Sequence, residues 1–355
     1  MLRHLPVIED ILIAKKKKWF SLLVVRELNT PFGYVKLQLV TGNGPCSHLD
    51  WPYLCFRRLD RFFKIDKSGK ILLFEFLDSE NDHVFKRSKN KPAEKSGNYY
   101  NLNVDMVKSY RCTTWPTMAQ EWLSRHRSFG WPTPDTIREL KSLGFFVVRK
   151  GHPLSSDIDT EWRISLSLQE RKLIMNLSDV QYKCYVVLKI LNRDAIMLNC
   201  ITSYHWKTCL FYVIEENDNN IWKKEHLFNC IQLCIVQMLK WIKCGFCPNY
   251  FIPKENFFDG KLNNSVRLLS EHILVELLNV GFDCLLFVEE NNVCDYLRAR
   301  GSIEWSAWLK ANSAKLYDES FYIRSTSIVH VALSVFNQKY LQVIIMRQTK
   351  LLLIL

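Results

Sequence analysis

Asp105 stands in the stretch Asn103-Val104-Asp105-Met106-Val107, where Leu102, Val104 and Met106 alternate with Asn103 and Asp105. That period of two predicts a strand with the Asp105 carboxylate on its polar face, able to ligate a hard divalent cation or simply to be solvated. A site for such a cation needs further carboxylates nearby. Glu9 and Asp10 are adjacent and would project to opposite sides of a strand, whereas Asp78-Ser79-Glu80 and Glu80-Asn81-Asp82 have acid-x-acid spacing but read as turn-capping acids. A basic cluster, Arg57, Arg58, Arg61, Lys64, Lys67 and Lys70, is interleaved with Phe56, Phe62 and Phe63. It is compatible with contact to a phosphate backbone, but the solvated face of an amphipathic segment is the leading reading. Cys244-Gly245-Phe246-Cys247 has zinc-knuckle spacing near His226, Cys230 and Cys234, but Cys230 and Cys234 fall on an apolar helical face, so zinc is not expected.

The background is that of an ordinary globular protein: 355 residues, 48% hydrophobic and 24% charged, which excludes disordered, collagen-like and coiled-coil classes. Lys plus Arg number 48 against 36 acids, a formal charge of +12, so polyanions (nucleotide, nucleic acid or anionic lipid) are the natural partners. The N-terminal charges follow a short apolar run instead of preceding it, so no signal peptide is expected, and the 12 cysteines read as free, mostly buried thiols. An intracellular location, cytoplasm or nucleus, follows from that reading, and the sequons at Asn176 and Asn263 have no expected use. The apolar pieces near the C-terminus are interrupted by Asn337, Gln338, Lys339, Arg347 and Lys350, and no membrane span is expected there.

The elements that would position these groups follow from periodicity. The first 30 residues show neither helical nor strand periodicity. Val35, Leu37 and Leu39 alternate with Lys36 and Gln38 as in a half-buried strand, and strands are also expected over 70–77, 101–108 and the Phe145-Phe146-Val147-Val148-Arg149 run. A lysine-rich loop is expected over 86–95. Thr114 is the expected cap of a helix through His126, and Thr133 caps a shorter one stopped by Gly144. Beyond Ser178 the spacing is helical almost throughout, as in Val180, Cys184, Val187, Leu188 and Leu191 and again in Leu227, Ile231, Cys234, Met238 and Trp241.

Several motifs occur in a recognisable order: Pro31-Phe32-Gly33-Tyr34-Val35, the Asp105 stretch, Arg111-Cys112 with Trp115-Pro116, Trp131-Pro132, Glu161-Trp162-Arg163-Ile164-Ser165, Ser203-Tyr204-His205-Trp206-Lys207-Thr208, and Cys247-Pro248-Asn249-Tyr250-Phe251-Ile252-Pro253. Together they resemble the Mab-21 family, which includes cyclic GMP-AMP synthase. The resemblance implies an α+β fold: a partial nucleotidyltransferase lobe with a mixed β-sheet, then an all-helical HhH/H2TH-like lobe. The implied organisation is an unmatched segment 1–30, an incomplete nucleotidyltransferase domain 31–167, a helical domain 170–290 and an unmatched tail 291–355.

The same resemblance makes Asp105 the third of three metal-binding carboxylates, Arg163 a nucleotide contact, Lys189 and Ser203 phosphate contacts and Tyr204 a base-stacking ring. For Arg163 a plain salt bridge, and for Tyr204 a core position, are the structural alternatives. The Gly-Ser and acid-x-acid elements expected upstream of Pro31 are not found. The expected function is therefore a binding or regulatory module, or a piece of a larger protein, without nucleotidyl transfer; residual nucleotide binding is left open. Mg²⁺ or Mn²⁺ with nucleoside triphosphate enter only under the alternative, an active synthase in innate immune signalling that uses Glu9, Asp10, Glu75 or Asp78; a further alternative is nucleic-acid binding through Arg57, Arg58 and Arg61. Without upstream strands, the strand from Gly33 is expected to present an open edge. Oligomeric state is left open.

Overall fold

A computed structural model of the protein describes residues 5–16, 20–56, 60–77, 94–95 and 105–280. The chain divides into two compact units, Met1–Leu177 with Pro248–Gly260, and Ser178–Cys247 with the residues from Lys261 onward. The tail expected over 291–355 lies outside the described residues, as do Arg57, Arg58, Asp78, Glu80, Asp82 and Asn103.

The first unit runs β1 (Val7–Ile8), α1 (Ile11–Lys15), β2 (Ser21–Val25), β3 (Tyr34–Thr41), β4 (Gly44–Pro45), α2 (Trp51–Phe56), β5 (Phe63–Ile65), β6 (Ile71–Leu73), β7 (Glu94–Lys95), β8 (Asp105–Met106), β9 (Ser109–Cys112), α3 (Gln120–Ser124), α4 (Pro134–Ser142), β10 (Phe145–Arg149), β11 (Glu161–Ser165) and α5 (Ser167–Met175). Its main sheet has the order β11-β10-β9-β1-β2-β3-β6-β5, with β4 paired to β3. β1 is parallel to β2 and to β9, and the other pairings are antiparallel, so the sheet is mixed as expected. β11 also pairs with the start of β3, Arg163 opposite Tyr34 and Trp162 opposite Val35. Six strands therefore close into a ring, and β3 is its most connected member.

This overturns the expectation of an open edge at β3. β2 pairs with it over Ser21↔Val40 to Val25↔Lys36, and β11 and β6 share its other side. The segment read as aperiodic thus contributes two strands. Ser21-Leu22-Leu23-Val24-Val25 lacks alternation because residues on both of its faces are buried or half-buried, so neither face has to be polar.

The polar face expected on β3 is also covered. Lys36 and Gln38 are only 3% and 5% exposed. Lys36 is sustained there by Glu27 and Asp157, each 2.7 Å from its Nζ, while Glu27 also holds Lys70 at 2.9 Å. Burial works against the Lys36 charge, but its two carboxylate partners win and raise its pKa above the ordinary lysine value of 10.5. The hydrogen bonds from Lys36 and Lys70 outweigh burial at Glu27 and lower its pKa below 4.5. For an acid with a depressed folded pKa the stabilisation is complete above the unfolded value and is lost as pH falls through the folded one. Glu27→Gln is therefore expected to be less stable than wild type at pH 7, with the gap closing below pH 4.5. Urea midpoints measured from pH 7 down to the acid limit check this; a gap independent of pH refutes it.

Two local readings also change. Thr114 does not cap a helix: its hydroxyl lies 3.2 Å from the Cys112 sulfur and donates to Glu9, and the helical path begins with a 3-10 turn at Thr117–Ala119. Asp105 lies in β8, which pairs with β7 in a separate two-stranded sheet, Lys95 opposite Asp105. Strand therefore replaces loop at the end of the lysine-rich segment. The helix from Thr133 forms as expected, with the Thr133 hydroxyl accepting from Thr136 N–H.

The second unit contains α6 (Asp179–Leu191), α7 (Ser203–Glu216), α8 (Leu227–Cys244) and α9 (Asn264–Val280). Ser178 and Gln181 form a reciprocal capping box that starts α6. The expected apolar stripes lie inward: Cys184, Leu188 and Leu191 of α6, and Cys230, Ile231, Cys234 and Met238 of α8, are all fully buried. The run Lys224–Cys244 is long and apolar enough to cross a membrane by length and composition, but half of it is buried and α8 packs against α6, α7 and α9, as a core helix does. Between α8 and α9 the chain leaves helix altogether, and Pro248–Gly260 packs with the first unit.

Candidate functional site

Three of the motifs meet at Arg163. In β11 the period of two puts Trp162 and Ile164 on one face and Glu161 and Arg163 on the other. Arg163 Nη2 lies 3.2 Å from Glu255 Oε1, and Phe257 sits 5.7 Å from the guanidinium carbon. Glu255 is 5% exposed and also accepts from Asn249 Nδ2. Asn249 organises its own turn: its Oδ1 accepts from Phe251 N–H at 2.9 Å and Ile252 N–H at 3.3 Å. Gly33 completes the node. A Cβ at that position would stand 2.4 Å from Glu255 Cδ. Burial raises the Glu255 pKa above 4.5, with Arg163 and Asn249 pulling the other way, and burial pushes Tyr34 beside them up to about 12.

Glu161, the first residue of the same motif, is structural. It is 1% exposed and accepts from His152 N–H at 2.8 Å and Ser155 Oγ at 2.6 Å, which fixes the loop between β10 and β11.

Lys189, Ser203 and Tyr204 lie in the second unit. Lys189 is half-buried near the C-terminus of α6, 5.6 Å from the Tyr185 ring. Burial lowers its pKa first, and Lys207 and Arg193 lower it further by repulsion. Lys207 lies 4.5 Å over the Tyr204 ring. Ser203 opens α7 and is exposed, and Tyr204 is half-buried, so neither is a core position. The helical unit thus gathers three cations with an aromatic ring and a hydroxyl. Lys207 and Arg193 were not picked out from the sequence as site residues. Lys207 follows Tyr204 by three positions on a helix, a spacing that puts the two side by side; Arg193 carried no such signal.

Three of the candidate metal ligands have partners of their own. Glu9 accepts from Thr117 N–H at 2.9 Å, Asp10 caps α1 through Leu12 N–H, and Glu75 pairs with Arg149 at 3.7 Å. Among the described residues no group of three His, Cys, Asp or Glu side chains is arranged to hold a metal ion. The Asp105 side chain and Asp78, which the active-synthase alternative also needs, lie outside the described residues. The zinc-knuckle pair is split, Cys244 exposed and Cys247 buried. Cys184, Cys209 and Cys234 instead meet in the core, where burial raises the first two thiols well above 9.0. In the basic cluster, Lys64 pairs with Asp159 at 3.3 Å, Lys70 with Glu27, and Arg61 stacks 4.9 Å from the Phe62 ring.

A mixed-sheet unit is followed, among the described residues, by a second unit with four longer helices, and cationic groups stand in both. Residues 78–176 match the model of the Mab-21 protein nucleotidyltransferase domain, and 180–274 that of the Mab-21 protein HhH/H2TH-like domain. The two matches together span more than half of the chain, which belongs to the Mab-21 family, within the cyclic GMP-AMP synthase-like nucleotidyltransferase superfamily.

Proposed function

We propose that the chain is a nucleotide- or phosphate-binding module of the Mab-21 family that does not transfer nucleotides, acting inside the cell. The observation that carries this reading is the charge around Lys189: a half-buried ammonium whose pKa is lowered by burial, Lys207 and Arg193. Burial and the two like charges disfavour the Lys189 ammonium, and an anion beside it relieves that cost. Lys189 and Lys207 would neutralise phosphate oxygens, the Ser203 hydroxyl would donate to one, and the Tyr204 face would carry a base. Arg163, assigned to the same set by resemblance, is held by Glu255 and is left out of the resting site. Support for the lack of transfer chemistry comes from the separate engagements of Glu9, Asp10 and Glu75.

Calorimetric titration with ATP, GTP and pyrophosphate tests this. Lys189→Ala is expected to weaken all three by about tenfold. Tyr204→Ala is expected to weaken the nucleotides by about tenfold and leave pyrophosphate unchanged. Because the anion needs the ammonium, affinity is expected to fall as pH rises through the Lys189 pKa, which lies below 10.5. Equal affinities in wild type and Lys189→Ala would remove the binding reading. With Mg²⁺ or Mn²⁺, triphosphates and RNA or DNA, no cyclic dinucleotide is expected; product that disappears in Asp105→Ala restores the synthase alternative.

A further inference from the structure

Arg163, Asn249 and Gly33 come from widely separated parts of the chain and surround one carboxylate. Two donors converge on it, the Arg163 guanidinium at 3.2 Å and the Asn249 amide, and the missing side chain of Gly33 leaves the volume it fills. The neighbouring acid Glu161 is committed to His152 N–H and Ser155, so it is not a substitute. The Arg163 side chain is 25% exposed, although its Nε and its partner Glu255 are buried. Donors of this kind, a charged fork and an amide facing a space of carboxylate size, are how proteins bind small anions.

We propose that Arg163, Asn249 and Gly33 form an anion slot whose resident occupant is the chain's own Glu255, and that the slot takes a small free carboxylate when that side chain is absent. Glu255 is then an internal ligand that keeps Arg163 from external anions in the resting protein. The slot lies within the first unit and does not depend on the nucleotide reading at Lys189, so either can fail without the other.

The experiment is chemical rescue of Glu255→Ala, followed by thermal melting in sodium formate against sodium chloride at equal ionic strength. Removing one partner of a buried ion pair is expected to lower the melting temperature by roughly 10 °C. Formate at about 100 mM is expected to return at least about 3 °C of it over chloride. Glu255→Gln, which keeps the slot filled, is expected to show no formate response, as is wild type. The Arg163→Ala/Glu255→Ala double variant is expected to lose the response. If Glu255→Ala does not fold alone, the yield of folded protein on refolding in formate against chloride is the readout. Equal behaviour in formate and chloride overturns the slot, including the case in which Glu170, whose charge acts on Glu255, swings in and restores stability unaided. A formate response that persists without Arg163 overturns it as well.

Discussion

Gly33→Ala is expected to destabilise the sheet unit by about 3–5 kcal/mol, an unusually large effect for one added methyl. Part of the cost is in the backbone. Gly33 has φ +84° and sits at the third position of a turn closed by Tyr34 N–H to Pro31 C=O, 3.2 Å, where an L side chain pays about 1–2 kcal/mol. The remainder is steric. The new Cβ would lie 2.4 to 2.8 Å from the three carboxyl atoms of Glu255. The end of a glutamate side chain usually swings away from such a contact at little cost. Here it is pinned by Arg163 and Asn249 and buried, so moving it separates an ion pair.

That account yields a coupling. In a Glu255→Ala background the obstacle is gone, and Gly33→Ala should cost only the backbone part, so the double-mutant cycle should show about 2 kcal/mol or more of interaction. Additive effects would mean that the strain lies in the turn alone. Urea unfolding followed by circular dichroism supplies the four stabilities, read as the transition of the first unit, since two units need not unfold together.

Legibility in the sequence followed the kind of constraint at each place. Amphipathic helices such as α6 and α8 were readable because one face meets the core and the other water, so period carries the information. β2 was not, because residues on both of its faces are buried or half-buried and neither face needed to be polar. Lys36 misled for a related reason. Its charge is satisfied by Glu27 and by Asp157, 121 positions away, and no local pattern announces a partner at that distance. The motifs Pro31-Phe32-Gly33, Glu161-Trp162-Arg163 and Pro248-Asn249-Tyr250 were each visible, but their convergence was not. Glu255 in particular drew no notice, because a lone acid after Pro253-Lys254 looks like any surface residue until Arg163 is placed against it. Lys189, Ser203 and Tyr204 were legible only through family resemblance. The electrostatic setting that makes Lys189 of interest depends on Arg193 and Lys207 as well.

Trp162→Ala is expected to cost about 3–5 kcal/mol from the cavity alone, and about 1–3 kcal/mol more from a carbonyl left without its donor. Trp162 is fully buried, and its indole N–H donates to Leu73 C=O at 2.9 Å. Its ring packs against Phe76 at 4.9 Å and Tyr110 at 5.6 Å, so it joins β11 to β6 and β9 at once. Trp162→Phe separates the two contributions, since it retains most of the ring volume and removes only the N–H; about 1–3 kcal/mol is expected for it. The consequence reaches the opposite face of β11. Arg163 is held in register by Tyr34 and Val148, and that register is set by burying the Trp162 side while the Arg163 side turns toward Glu255. Trp162→Ala should therefore raise amide hydrogen exchange across β3 and β11 together, beyond the local opening that a cavity produces. Exchange confined to residues touching the cavity would show that the anchor of this strand pair is the Arg163–Glu255 ion pair and not the tryptophan behind it.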